Sequence, residues 1–292
     1  MKKQEEHKEI TRKRSSYHNV DSYDDELAIV RELLEGCDEY ERALVEEFEI
    51  QARKLEELYD IVRPFFYNNG MLNNKELNLL IRALDSRNDY HTELSEAIQE
   101  IKDNIRDIEE RMLWTWLCIS YEITKQETAK SIKLDPQSPV MRQMNTQQKR
   151  DEIILKPWCP DKLTVTDRIH KNTRTFEQKL DLVLTQGIRR GWSKEKMTNV
   201  LRNITGIELY KARRLIRTET MAIWSKTTKE LFLAKGIEYV EIIGDAECGG
   251  ICLDYVGGEI PLKDAELGGD LPPYHPNCAC SFCAYEVPDD EE

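Results

Sequence analysis

Between Cys248 and Cys283 the chain carries five of its eight cysteines and one of its five histidines, spaced Cys248-x3-Cys252 and then His275-x2-Cys278-x-Cys280-x2-Cys283. No other feature restricts the fold so tightly, because donors of this kind act together only if the loop between the two groups closes. A zinc ion takes four soft or borderline donors in a tetrahedron, and short-spaced pairs at the two ends of a loop can supply two each. Gly249-Gly250, Gly257-Gly258 and Gly268-Gly269 allow tight turns between them. Pro272, Pro273 and Pro276 stiffen the approach to the second group. Six donors exceed four, so the spacing points to Cys248, Cys252, His275 and one of Cys278 or Cys280. On an extended segment Cys278 and Cys280 point the same way, with Ala279 opposite. A disulfide staple and unbonded thiols are the other two readings. The clustering favours a structural zinc ion, since Cys37, Cys118 and Cys159 are scattered elsewhere.

The 292 residues suffice for two or three domains. A formal net charge of -13 argues against indiscriminate nucleic-acid binding by the chain as a whole. The lysines at the amino terminus are not followed by an apolar core, so no secretory signal is expected, and no run approaches the ~20 apolar residues of a membrane span. The expectation is a soluble protein made in a cytoplasm, where reducing conditions favour metal or thiol over disulfide.

Residues 1–20 are polar and lack periodicity, as in a mobile arm. From Asp21 to about Arg63, Leu27, Val30, Leu33, Leu44, Phe48, Leu55 and their neighbours recur at three- and four-residue intervals, which predicts one or two amphipathic helices with an acidic, solvated face. Pro64 is expected to end this helix and Tyr67-Asn68-Asn69-Gly70 to turn the chain. A second helix is predicted from about Asn74 to Thr124, so that residues 21–124 form an antiparallel helical hairpin suited to interaction with another subunit. The Pro- and Gln-rich residues 125–163 read as a linker and domain boundary.

Residues 164–235 read as helices, capped at Thr166 or Asp167, broken at Gly191-Trp192-Ser193 and again at Thr205-Gly206, and closed by Gly236. Residues 168–229 hold fifteen Lys and Arg against five acids, a local excess of ten positive charges. Such a module can face a phosphate backbone, with Arg189, Arg190, Arg213 and Arg214 as the candidate contacts, or dock on acidic helices of the same or another subunit. After Gly236 the period falls to two, predicting a strand over 237–243, a hairpin over 253–262 and a closing strand over 281–285. Residues 286–292 are an acidic tail. The fold class is α+β, mostly α, with a long N-terminal helical hairpin, a basic helical middle region and a small Cys/His-rich module over 237–285.

Three features in this order carry a resemblance. They are the helices broken at Gly191-Trp192-Ser193 that lead to Arg217-Thr218-Glu219-Thr220, the strand entering Asp245 and the Cys248/Cys252 pair, and Pro272-Pro273-Tyr274-His275-Pro276-Asn277-Cys278-Ala279-Cys280. Together they resemble the phage Mu protein F-like family of head-morphogenesis proteins over about residues 165–285. This chain departs from the family pattern in having Cys-x3-Cys for the usual Cys-x2-Cys, and Ala279 where the family has Arg. The resemblance implies a low-copy minor structural protein of the virion. Such a protein is assembled in the host cytoplasm, associates with the portal and with capsid or scaffolding proteins, and assists head morphogenesis and the handling of packaged DNA. It also marks Arg217, Glu219 and Asp245 as structural motif positions, with an ion pair or helix-to-loop hydrogen bonds from Arg217 and Glu219 locking the helix to the cysteine module.

Catalysis is not expected. His170 and His275 are isolated, and neither a His-Glu-x-x-His zinc site nor a Gly-rich nucleotide loop is present. A zinc-knuckle-like protein binding DNA without sequence preference is the alternative function, and homo-oligomers are compatible with either.

Overall fold

A computed structural model describes residues 20–67, 93–190, 192–244 and 250–285. Its helices are α1 (Val20–Tyr67), α2 (Glu93–Ser131), α3 (Pro139–Met144), α4 (Gln147–Leu155), α5 (Val165–Arg190) and α6 (Lys194–Lys235). Its strands are β1 (Tyr239–Ile243), β2 (Glu259–Pro261) and β3 (Ser281–Tyr285), with a 3-10 turn at Gly250–Asp254. The fold is thus mostly α with one small antiparallel sheet, as the sequence implies. The expected arm, the Tyr67–Gly70 turn beyond Tyr67, the first part of the second predicted helix and the acidic tail lie outside the described residues.

Several boundaries differ from expectation, each for a local reason. Pro64 lies inside the last turn of α1, where losing one amide donor removes a single ladder bond and the helix runs on to Tyr67. Gly206 does not break α6: Thr205 donates its hydroxyl to Leu201 O at 3.0 Å, and Leu201, Ile204 and Ala212 on either side are buried. Burial of that face outweighs the roughly 1 kcal/mol that a mid-helix glycine costs. The stop at Gly236 does form, with φ 89° and paired bonds from Gly236 N to Leu233 O (3.1 Å) and Ile237 N to Phe232 O (3.0 Å). Residues 125–163, expected as a linker, instead continue α2 and form α3 and α4. Ser138 and Thr146 cap those two helices, and Met141, Met144, Ile153 and Ile154 are buried.

The chain divides into two compact units that interleave along the sequence. The first comprises residues up to Asp38, Thr115–Val165 and Arg214 onward; the second comprises Glu39–Trp114 and Thr166–Arg213.

In the second unit four helical stretches share one core. Leu44, Phe48 and Leu55 of α1 meet Ile98, Ile101, Ile105 and Ile108 of α2, Phe176, Leu180 and Leu184 of α5, and Met197, Leu201 and Ile204 of α6. The predicted pair of stripes is therefore covered by the basic helices rather than presented as a free hairpin face. Charge follows the same pairing: Arg202 meets Glu56 and Arg213 meets Glu41, each at 2.7 Å, while Lys102 meets Asp181 at 2.6 Å and Arg106 meets Glu177. Of the two fates open to the basic module, docking on acidic helices of the same chain takes up several of its charges.

In the first unit α6 is the axis. Every residue from Thr218 to Thr228 is buried. Met221, Trp224 and Phe232 pack with Ile29, Val30 and Leu33 of α1, with Val240 and Ile242 of β1, and with Phe282 of β3. Trp224 tilts against Phe282 with ring centroids 4.8 Å apart. Several polar side chains of this buried stretch are satisfied internally, while Ser225 Oγ and Thr227 Oγ1 find no partner among the described residues. Thr228 pairs with Thr128 of α2 at 3.3 Å, and Lys226 donates to Ile153 O (2.9 Å) and Lys156 O (2.6 Å) at the end of α4.

β1 is the central strand, in the order β2-β1-β3. β2 pairs with β1, Val240 opposite Ile260, so residues 253–262 do not close on themselves as the predicted hairpin. Gly257 and Gly258 instead extend the β1 ladder through bonds to Ile242 (2.8 and 3.0 Å).

Candidate metal centre

The sheet delivers two arms to one point. Cys252 sits on the 3-10 turn after β1, where its carbonyl accepts from Tyr255 N and Val256 N, each at 3.1 Å. The second arm runs from the cis Pro272–Pro273 bond to Cys278, just before β3. Tyr255 and Tyr274 stack across the two arms, with centroids 4.1 Å apart and rings 15° from parallel, and Tyr274 donates its hydroxyl to Asp270 O at 2.9 Å.

This brings Cys252, His275 and Cys278 together, with all three donor atoms within 4.8 Å of one another. Cys252 Sγ lies 2.9 Å from His275 Nε2 and 3.6 Å from Cys278 Sγ. His275 Nδ1 lies 2.8 Å from Pro276 O. A carbonyl only accepts, so Nδ1 carries the proton and Nε2 turns its lone pair towards the sulfurs, the tautomer a metal-ligating histidine needs. Cys252 and Cys278 are buried and His275 is half-buried. Cys280, fully buried, packs with both thiols. Its hydrogen bond to Cys278 is the main cause that draws the Cys278 thiol well below its ordinary value, against the opposing effect of burial. Gly244 makes room for this thiol: a Cβ there would stand 3.1 Å from Cys280 Sγ and 2.7 Å from Val256. Three thiols and an imidazole, one sulfur already biased towards thiolate, are the donor chemistry that zinc selects.

Of the residues singled out in the sequence, the structure brings together Cys252, His275 and Cys278 as a group able to hold a metal and packs Cys280 against the two thiols, whereas Cys248 and Asp245 lie outside the described residues. Cys283 stands opposite Glu241 in the β1–β3 register, and burial first, then Glu241 and Glu26, push its thiol up to about 12. It is a neutral thiol in the sheet.

The Arg217–Thr220 turn of α6 sends each side chain to a different segment. Arg217 pairs with Asp38 of α1. Glu219, buried, accepts from Trp158 Nε1 at 3.1 Å. Thr220 accepts from Trp116 Nε1 at 3.0 Å. Thr218 meets the cysteine loop, accepting from Asn277 N at 3.1 Å. Sequence reasoning does not single out the pairing of Thr218 with Asn277, a contact across 59 residues with no spacing signal.

Among the candidate nucleic-acid contacts, Arg190 and Arg214 are exposed and Arg213 is held by Glu41, while the side chain of Arg189 lies outside the described residues. Arg190 and Arg213 belong to the second unit and Arg214 to the first.

No helix among the described residues is long and apolar enough to cross a membrane. No curated protein and no solved structure matches the chain. Residues 178–283 match the family described as Phage Mu protein F like protein, a span from within α5 through all of α6 to the last of the clustered cysteines. By that match, the segment that carries the Cys/His cluster and its supporting helix is similar to the Phage Mu protein F-like family, which suggests a phage head-morphogenesis protein.

Proposed function

We propose that this protein is a minor structural component of a tailed-phage head that docks at the portal during procapsid assembly, does no catalysis, and uses a zinc ion to close its C-terminal module. The observation that carries the reading is the coincidence of the family match, residues 178–283, with the Cys/His centre and the helix beneath it. Cys252, His275 and Cys278 would hold the ion, and Cys280, packed against both thiols, is the candidate for the fourth ligand among the described residues. Burial of the three sulfurs suits a structural ion, whose binding energy goes into folding. A partner in the head, whether portal, capsid or scaffolding protein, follows from the family's role in head assembly.

Two measurements test this together. Mass spectrometry of purified procapsids and virions should find the protein at low copy in both; its absence from both would sink the head assignment. Elemental analysis of protein purified under reducing conditions should find about one zinc per chain, and a chelator should loosen residues 237–285. Freely titrating cysteines with no metal would refute the zinc reading and leave the head assignment standing.

Sequence-independent contact with packaged DNA is a second reading, favoured by the exposure of Arg190 and Arg214. A low-salt gel retardation assay on the full chain should show weak binding that fades with salt, and no shift at any salt would remove it.

A further inference from the structure

We infer that Thr218, a residue of α6 remote in sequence from the cysteines, positions the His275–Cys278 ligand knuckle; the inference rests on reading the cluster as a metal centre.

The knuckle is a four-residue turn whose two ends are both ligands. Cys278 N bonds His275 O at 3.1 Å, and Asn277 between them takes φ 61°. That left-handed conformation is one Asn tolerates better than most side chains, but it is not the resting preference of the chain and has to be held. Thr218 supplies the hold. Its hydroxyl donates to Arg214 O at 2.7 Å, which fixes the rotor and turns an oxygen lone pair outward, and Asn277 N donates to that oxygen at 3.1 Å. Thr218 is only 7% exposed and sits on a helix turn packed on every side, so the acceptor cannot move with the loop. The loop conforms to the helix.

Around a zinc ion the separation of His275 Nε2 and Cys278 Sγ must match tetrahedral bond lengths to a few tenths of an ångström. Freeing Asn277 N–H lets the peptide between the two ligands rotate, and ordering it again is then charged against metal affinity. The hydrogen bonds of Thr218 go to Arg214 O and Asn277 N rather than to a ligand atom, and its role is positional.

The test is zinc affinity of the full-length protein, measured by competition with a chromophoric chelator under reducing conditions, for wild type, Thr218→Val, Thr218→Ser and Thr220→Val. Val keeps the shape of Thr and removes the acceptor; zinc affinity should fall about tenfold, in the range of outer-shell ligand supports. Ser restores the hydroxyl and should stay within about twofold of wild type. Thr220 bonds Trp116 on another side of the same turn, so Thr220→Val should lower thermal stability and leave zinc affinity unchanged. Equal affinity for wild type and Thr218→Val would overturn the role given to Thr218 while leaving the metal centre intact. Equal losses in Thr218→Val and Thr220→Val would reduce it to general packing. A wild type that takes up no zinc would overturn the metal centre, and this inference with it.

Discussion

Replacing Glu26 by Gln should make the first unit progressively more stable relative to wild type as pH rises from 5 to 8. Glu26 lies on α1 beside the core residues Ile29, Val30 and Leu33, is 0% exposed, and neither carboxylate oxygen has a hydrogen-bond partner among the described residues. Burial, and secondarily the charge of Asp25, push its pKa up to about 8 from 4.5. The folded state therefore holds a proton that the unfolded chain releases. Below pH 4.5 both states are protonated and there is no penalty; between 4.5 and 8 each pH unit costs the fold about 1.4 kcal/mol, because the native state binds more protons. The accumulated cost is about 3 kcal/mol at pH 7, and about 5 kcal/mol once the native carboxyl ionises. Gln preserves the shape and cannot titrate. Its own unpaired amide carries a cost that is the same at every pH, so the difference in slope isolates the carboxyl. Urea titrations followed by tryptophan fluorescence are suited to the measurement, since Trp116, Trp158 and Trp224 belong to this unit. Parallel stability curves for the two proteins from pH 5 to 8 would refute the reasoning and mean that Glu26 is ionised or solvated in the native state.

Two further substitutions test the packing around α6. Gly36→Ala should destabilise although alanine is the better helix former: its Cβ would stand 2.0 Å from Trp116 Cη2, and overpacking against a ring pinned by Thr220 costs about 1–3 kcal/mol where propensity returns at most about 1. An unchanged or raised melting temperature would contradict it. Lys226→Met should leave two carbonyls near the end of α4 without their donor and cost about 2 kcal/mol, seen as faster proteolysis between α4 and α5. Equal cleavage rates would show that water replaces the ammonium group at no cost.

What could be read from the sequence divides along physical lines. Gly236 was legible as a helix stop because its role is local: positive φ and two backbone bonds need no knowledge of the rest of the fold. Gly206 looks the same in sequence and does not stop α6, since the deciding term is the buried face running past it, a tertiary quantity. The core stripes of α1 and α2 were legible from their spacing, but their covering by α5 and α6 was not, because an apolar stripe does not name its partner. The stretch from Thr218 to Thr228 reads from composition as part of a basic surface, yet Thr218, Thr220, Thr228 and Lys226 are buried and bonded inward; composition records polarity and is silent on whether a partner waits. At the candidate metal centre, the residue types and their loop geometry sufficed to nominate Cys252, His275 and Cys278, while the contact from Thr218 is long-range and leaves no spacing to find.

The burial of α6 on every side from Thr218 to Thr228 also sets where this chain can change length. A helix turns by about 100° per residue, so one residue inserted or deleted between Arg217 and Thr228 would swing Thr218 off the knuckle or Lys226 off the end of α4. Nothing local could compensate, because each face of the turn meets a different partner. The stretch from Lys263 to Asp270 carries a run of exposed positions, and added residues there would be taken up by the loop. Length variation in this module therefore belongs to its loops, with α6 acting as a fixed gauge against which the surrounding segments are registered.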